Sequence, residues 1–190
     1  MSLMNTRTGW GWPARLLHWC IAALIVFMSG LGLYMTNAFP SGSMDSYPWY
    51  QLHKSWGFVV FVLLLVRILW RWLNRVTPEL PAGMPLWERL AAHGAHWALY
   101  ALMAAIPLSG WLMVSASPLQ DMGVPNKVFG LFSFPDPFQP GDRAIEGFLK
   151  EVHETTWYLL LVVLALHVLG ALKHHFISRD TVLRRMLRGQ

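Results

Sequence analysis

Eight histidines in a chain where only 13% of the residues are charged are the side chains best placed to do chemistry. Ionisable groups at membrane depth are expensive and usually face a bundle interior. His153 and His167 lie 14 residues apart in one apolar stretch, a spacing that returns to within about 40° of the same helix face about 21 Å along it. His18 opens the first apolar stretch and His53 precedes the second. Because successive stretches run in opposite directions, His18 is expected opposite His167 on one tier and His53 opposite His153 on the other. Two neutral imidazoles on facing helices suit axial ligation of a haem iron, which fills both open positions and favours electron transfer. A zinc site or satisfied polar contacts are the competing uses, but zinc wants three or four ligands converging at one depth, and these residues divide into pairs. Arg67, 14 residues beyond His53, shares its face on the tier of His18 and His167. There it would meet a haem propionate or snorkel to the interface beside Arg71. Gly57 and Gly170 each follow a histidine by about one turn and leave room for a flat macrocycle or for close helix contact.

The elements that must position these side chains follow from composition. The 190 residues are 55% hydrophobic with a mean hydropathy of +0.38, whereas soluble chains carry about 25% charged residues. A soluble domain of this length has too little interior for so much apolar side chain, which excludes a disordered chain, argues against a soluble enzyme and points to lipid as the solvent. Four stretches, 16–35, 56–72, 96–114 and 157–172, approach the roughly 20 residues a helix needs to cross the hydrocarbon. The expected fold is an all-α integral membrane four-helix bundle with two large cofactors held between the histidine pairs, a single domain over 1–190. The first stretch follows Arg7 and Arg15 as a signal peptide would, yet it is too long for a signal core and lacks a small-residue cleavage site, so it reads as an uncleaved helix. The single cysteine, Cys20, excludes a disulfide framework, a Cys-rich zinc or iron–sulfur site and the c-type haem attachment signal. Pro107 should bend the third helix locally.

Ten Lys and Arg fall in the N-terminal segment, the second connection and the tail, against Lys54, Lys127, Arg143 and Lys150 on the other side. That bias places both termini in the cytoplasm. The formal charge of +5 is thereby a topology signal with attraction to anionic lipid, not a nucleic-acid footprint. Residues 37–55 and 115–152 lie outside and should fold over the bundle mouth, with either a short amphipathic helix around Ala144 to Glu151 or a plain covering loop. Most of the eleven Trp flank the spans, where their amphipathic rings suit the interface.

Several local signatures recur together: Arg15-Leu16-Leu17-His18-Trp19, His53-Lys54-Ser55-Trp56-Gly57, Val66-Arg67-Ile68-Leu69-Trp70-Arg71, His93-Gly94-Ala95-His96, Lys150-Glu151-Val152-His153-Glu154, and His167 followed by His174-His175. In these the chain resembles the bacterial di-haem cytochrome b561 family, including its superoxide oxidase members, over nearly its whole length. The resemblance implies a four-helix bundle in the bacterial inner membrane holding two b haems, with His18, His53, His153 and His167 as axial ligands of the iron.

It also implies substrates that spacing cannot supply. Superoxide oxidases of this type oxidise superoxide at the periplasmic face, pass electrons through both haems and reduce ubiquinone near the inner haem. Lys54, Arg143 and Lys150 would then form an electropositive entrance for the anion, or else an ordinary solvated surface. His174, seven residues past His167, returns to nearly the same face about two turns deeper, where it would bond a quinone carbonyl and relay a proton. His93 and His96 line the same pocket, hold a propionate or sit at the interface; His175 points elsewhere. Glu154 either orients His153 or pairs with Lys150. The competing function is a cytochrome b electron-transfer subunit serving a partner dehydrogenase; a His-lined metal transporter is a third.

Overall fold

The computed structural model describes residues 2–40, 43–119, 121–124, 126–138 and 140–189. Four long helices carry the chain: α1 (Trp12–Asn37), α2 (Tyr47–Leu73), α3 (Leu86–Ser115) and α4 (Arg143–Phe176). A short α5 (Val182–Arg188) ends it, and a hairpin of two-residue strands, β1 (Lys127–Val128) and β2 (Phe132–Ser133), interrupts the longest connection. Among the described residues these four helices are long and apolar enough to cross a membrane. The all-α, four-helix membrane class expected from the sequence is the class observed.

Each helix outruns the apolar stretch that announced it. Helix α4 starts at Arg143 because the Asp142 carboxylate accepts the Ala144 and Ile145 N–H groups at 2.7 and 3.2 Å, a cap that satisfies donors the first turn leaves open. The segment from Ala144 to Glu151 is therefore the beginning of α4 and neither a separate helix nor a covering loop. Pro13 and Pro48 sit in the first turns of α1 and α2, where a missing N–H breaks no helical bond. Among the described residues, Pro107 is the proline that lies in a helix interior, past the first turn.

The long helices contribute to two compact units: residues 1–21, 63–102 and 159–190 form the first, and residues 22–62 and 103–158 the second. Ile21, Leu64, Leu99 and Leu160 are buried in the first; Ile25, Leu31, Val60 and Met103 are buried in the second. Elsewhere the helices present apolar side chains outward: Val26 is 68% exposed, Leu65 49% and Leu166 61%. Water would not tolerate so broad an apolar surface on a monomer, and lipid requires it.

Polar ties organise the ends. In the first unit Asn5 reaches the Val76 carbonyl at 3.0 Å and accepts the Gly11 N–H at 3.0 Å. Helix α5 is held by Trp19, whose indole N–H reaches the Met186 carbonyl at 3.1 Å, and by Arg185, which reaches the Glu79 carbonyl at 2.6 Å. In the second unit the connection after α3 is tied down by side-chain hydrogen bonds. Trp111 donates to the Pro135 carbonyl at 3.0 Å, and Asp136 accepts from both Ser115 and Asn126. The hairpin turn puts Phe129 at φ +48°, a left-handed conformation unusual for a non-glycine residue. Its N–H donates to Ser55 Oγ at 2.8 Å and its ring lies 5.6 Å from that of Trp56, contacts that hold the strain in place.

Candidate paired-histidine sites

Each unit brings one pair of histidines face to face. In the second unit His53 on α2 and His153 on α4 have ring centroids 6.4 Å apart at 73°. In the first unit His18 on α1 and His167 on α4 stand 6.2 Å apart at 66°. A metal atom between two imidazoles needs about 2 Å to each nitrogen, which with the ring radii places the ring centres about 6 Å apart. Both pairs have that spacing. His96 on α3 is closer to His167, at 5.1 Å, and spacing in sequence had not put it there.

The His153 ring is oriented by groups that bear no charge, while His53 Nδ1 is buried without a hydrogen-bond partner. His153 Nδ1 lies 2.9 Å from the Ile106 carbonyl and 3.2 Å from Ser109 Oγ. A carbonyl only accepts, so Nδ1 carries the hydrogen and Nε2 keeps its lone pair free for a metal. Glu154 is exposed and takes no part in this contact. Gly110 provides the room: a Cβ there would stand 3.0 Å from His153 Cε1 and 3.1 Å from its Nδ1. Across the same unit, Gly32 leaves a Cβ position 3.5 Å from His53 Cε1. The glycines that matter to the rings are thus Gly32 and Gly110, where sequence phase had pointed to Gly57 and Gly170. A Cβ on Gly57 would meet Met28 at 3.7 Å, and nothing among the described residues lies within 4 Å of Gly170. Ser109-Gly110 is a small-residue pair just past Pro107, the one local signal that would have marked the spot.

A family model described as prokaryotic cytochrome b561 matches residues 9–189. The chain belongs to this family. Cytochrome b561 homolog 2 of Escherichia coli (strain K12) is 36% identical over 188 residues, covering 98% of this chain and 95% of that protein. Cytochrome b561 homolog 1 of the same organism is 29% identical over 173 residues, 90% and 92% of the two chains. A Yersinia pestis protein named "Probable superoxide oxidase CybB" is 30% identical over 173 residues, 90% and 91% of the two chains.

A cytochrome b561 is a multi-pass inner-membrane electron-transfer protein, and the family implies b-type haem. The residues present fit that group. Besides the ring pairs, Arg67 supplies an orphaned donor: its Nε donates to the Tyr100 hydroxyl at 3.1 Å, while its Nη1 is buried without a partner. An anionic propionate is what such a nitrogen lacks. Tyr100, unremarked in the sequence, lies with its ring 5.9 Å from the guanidinium carbons of both Arg67 and Arg71. Arg67→Leu is expected to lower the midpoint potential of one haem on the order of tens of millivolts, since a lost positive charge favours the oxidised iron. Redox titration of the variant with both haems unshifted would remove Arg67 from the cofactor's surroundings.

The remaining candidates divide. His174 on α4 sits between two carboxylates, with Nδ1 2.5 Å from Asp180 and Nε2 3.7 Å from Glu88. His93 and His96 each turn Nδ1 back to a carbonyl of α3, those of Arg89 and Ala92, both at 2.7 Å. His175 has its ring against Phe176. Lys54 does not point freely outward: its Nζ donates to Asn126 Oδ1 at 3.2 Å, and Asn126 in turn binds Asp136. Lys150 and Arg143 are exposed. Among the described residues no three His, Cys, Asp or Glu side chains gather around a bare metal ion.

Proposed function

We propose that this cytochrome b561 oxidises superoxide at the periplasmic face, carries the electrons through two b haems and reduces ubiquinone on the cytoplasmic side. The observation that carries this reading is the presence of two histidine pairs at metal-bridging distance, one in each unit. When bound, b haem supplies one-electron redox chemistry. His18 with His167, and His53 with His153, would hold it, and occupation of the iron by two imidazoles would favour electron transfer over oxygen binding. Arg67 would hold a propionate.

Charge orients the molecule. Eleven of the fifteen Lys and Arg but only three of the ten acids lie in the first unit, a formal +8, while the second carries four against seven, a formal −3. Retention of positive charge supports a cytoplasmic position for both termini and for the connection between α2 and α3. Lys54 and Lys150 then flank the approach to His53 and His153, and His174 lies on the quinone side, where two superoxide anions give two electrons and two protons complete ubiquinol. The relative named as a superoxide oxidase supports the donor.

One observation favours a different donor. The second unit is formally negative and Lys54 is tied to Asn126, which weakens attraction of a small anion and suits a cytochrome subunit fed by a partner dehydrogenase. Mixing the oxidised, haem-loaded protein with generated superoxide and ubiquinone, no other protein present, separates the two. Rapid haem reduction followed by ubiquinol formation is the expected result. Haems that dithionite reduces but superoxide leaves oxidised would establish the partner-fed reading instead.

A further inference from the structure

Helix α4 ends at Phe176, and the chain turns through Arg179, at φ +53°, into α5. Asp180 occupies the inside of that turn. Its backbone N–H donates to the His174 carbonyl at 3.1 Å, its Oδ1 accepts the Val182 N–H at 3.0 Å, and its Oδ2 accepts His174 Nδ1–H at 2.5 Å. The carboxylate is thus fixed from both of its own flanks before it meets the ring. His174, Asp180 and Glu88 keep only 14, 15 and 12% of their side-chain surface exposed.

The other ring nitrogen is left open. Nε2 is 3.7 Å from Glu88 Oε2, beyond hydrogen-bond reach, because Lys173 draws Glu88 through Oε1 at 2.5 Å. The charged groups facing the ring are therefore Asp180 from the turn, Glu88 from α3 and Lys173 from α4 itself. A carboxylate on Nδ1 fixes the orientation of an imidazole and keeps the hydrogen on that nitrogen, so that Nε2 is the atom through which a proton comes and goes.

We propose that Asp180 is a positioning residue for His174, holding Nδ1–H so that Nε2–H delivers protons to a quinone oxygen. This rests on the quinone-reducing reading above. In the step, the Nε2–H bond breaks and an O–H bond forms on the quinone. The electrons reach the quinone one at a time from reduced b haem, two per molecule. Nδ1–H stays with Asp180, and cytoplasmic water returns the proton to Nε2 before the second transfer.

The test uses the haem-loaded protein reduced with stoichiometric dithionite, mixed with a short-chain ubiquinone while haem reoxidation is followed. His174→Ala is expected to slow reoxidation about a hundredfold, within the range of a lost general acid. Asp180→Asn should slow it about tenfold, Asp180→Glu should restore most of the rate, and the His174→Ala/Asp180→Asn double variant should be no slower than His174→Ala alone. Asp180→Ser keeps a cap for the Val182 N–H but cannot reach His174, so it should be as slow as Asp180→Asn if positioning is the role. Wild-type rates in Asp180→Ser and Asp180→Asn beside a slow His174→Ala would overturn the role of Asp180 and leave the quinone reading standing. A multiplicative double variant would do the same. An unaffected His174→Ala would overturn both at that residue.

Discussion

His153→Ala and His167→Ala are each expected to halve the haem content of the purified protein, through different sites. In each case one imidazole of the pair, His53 or His18, would be left without its partner. The ring pairs are separated by 6.4 and 6.2 Å, so no small shift of the surviving ring fills both positions. The loss should be confined to one haem because each pair lies wholly within one unit. His96 makes the two variants informative against each other. It lies 5.1 Å from His167 with Nδ1 committed to the Ala92 carbonyl, which leaves Nε2 open. In His167→Ala a weakened remnant of the inner haem, with an altered reduced spectrum, would show His96 substituting; no such neighbour exists among the described residues for His153. Haem per polypeptide and reduced-minus-oxidised spectra give the answer, and two intact haems in either variant would sink the ligand assignment.

How much of this was legible in the sequence depends on whether the signal ran along one helix or across several. The 14-residue spacing of His153 and His167 lies on a single helix, where periodicity fixes the shared face, and alternation of the spans then supplied His53 and His18 as partners. The ring pairs appear where that reasoning placed them. The helix ends were less legible, because an apolar stretch marks only the depth of lipid, whereas the start of α4 is decided by the Asp142 carboxylate accepting two backbone N–H groups. Contacts between helices were not legible at all. Ile106 and Ser109 reach His153 from α3, a helix that carries no member of either facing pair, 47 and 44 residues away in the chain. Tyr100 meets Arg67 over 33 residues, and Lys54 is drawn inward by Asn126 over 72. Phase tells which way a residue faces on its own helix and says nothing of which neighbour stands there.

Gly110→Val should therefore have an effect that helical phase alone does not anticipate: loss of the haem proposed to lie between His53 and His153, with the other retained. A Cβ at this position already stands 3.0 Å from His153 Cε1, 3.1 Å from Nδ1 and 3.9 Å from Nε2, closer than carbon atoms approach without something yielding. The obstacle is a rigid ring, not the free end of a flexible chain. To escape, the imidazole must abandon the Ile106 carbonyl at 2.9 Å, and with it the contact that commits Nδ1 and leaves Nε2 free. Gly110→Ala asks for a few tenths of an ångström and should keep the haem with a shifted potential; valine adds two methyl groups and should not. Helix propensity acts in the opposite sense for the alanine variant, since replacing glycine in a helix interior stabilises the helix by about 1 kcal/mol. A defect in that variant thus cannot be charged to a weakened α3. Gly147, also helical and in the same unit, has nothing within 4 Å of its Cβ position. Gly147→Val should consequently bind both haems as the parent does. Equal haem content and potentials in Gly110→Val and Gly147→Val would mean that the seat of His153 is more accommodating than its neighbours allow.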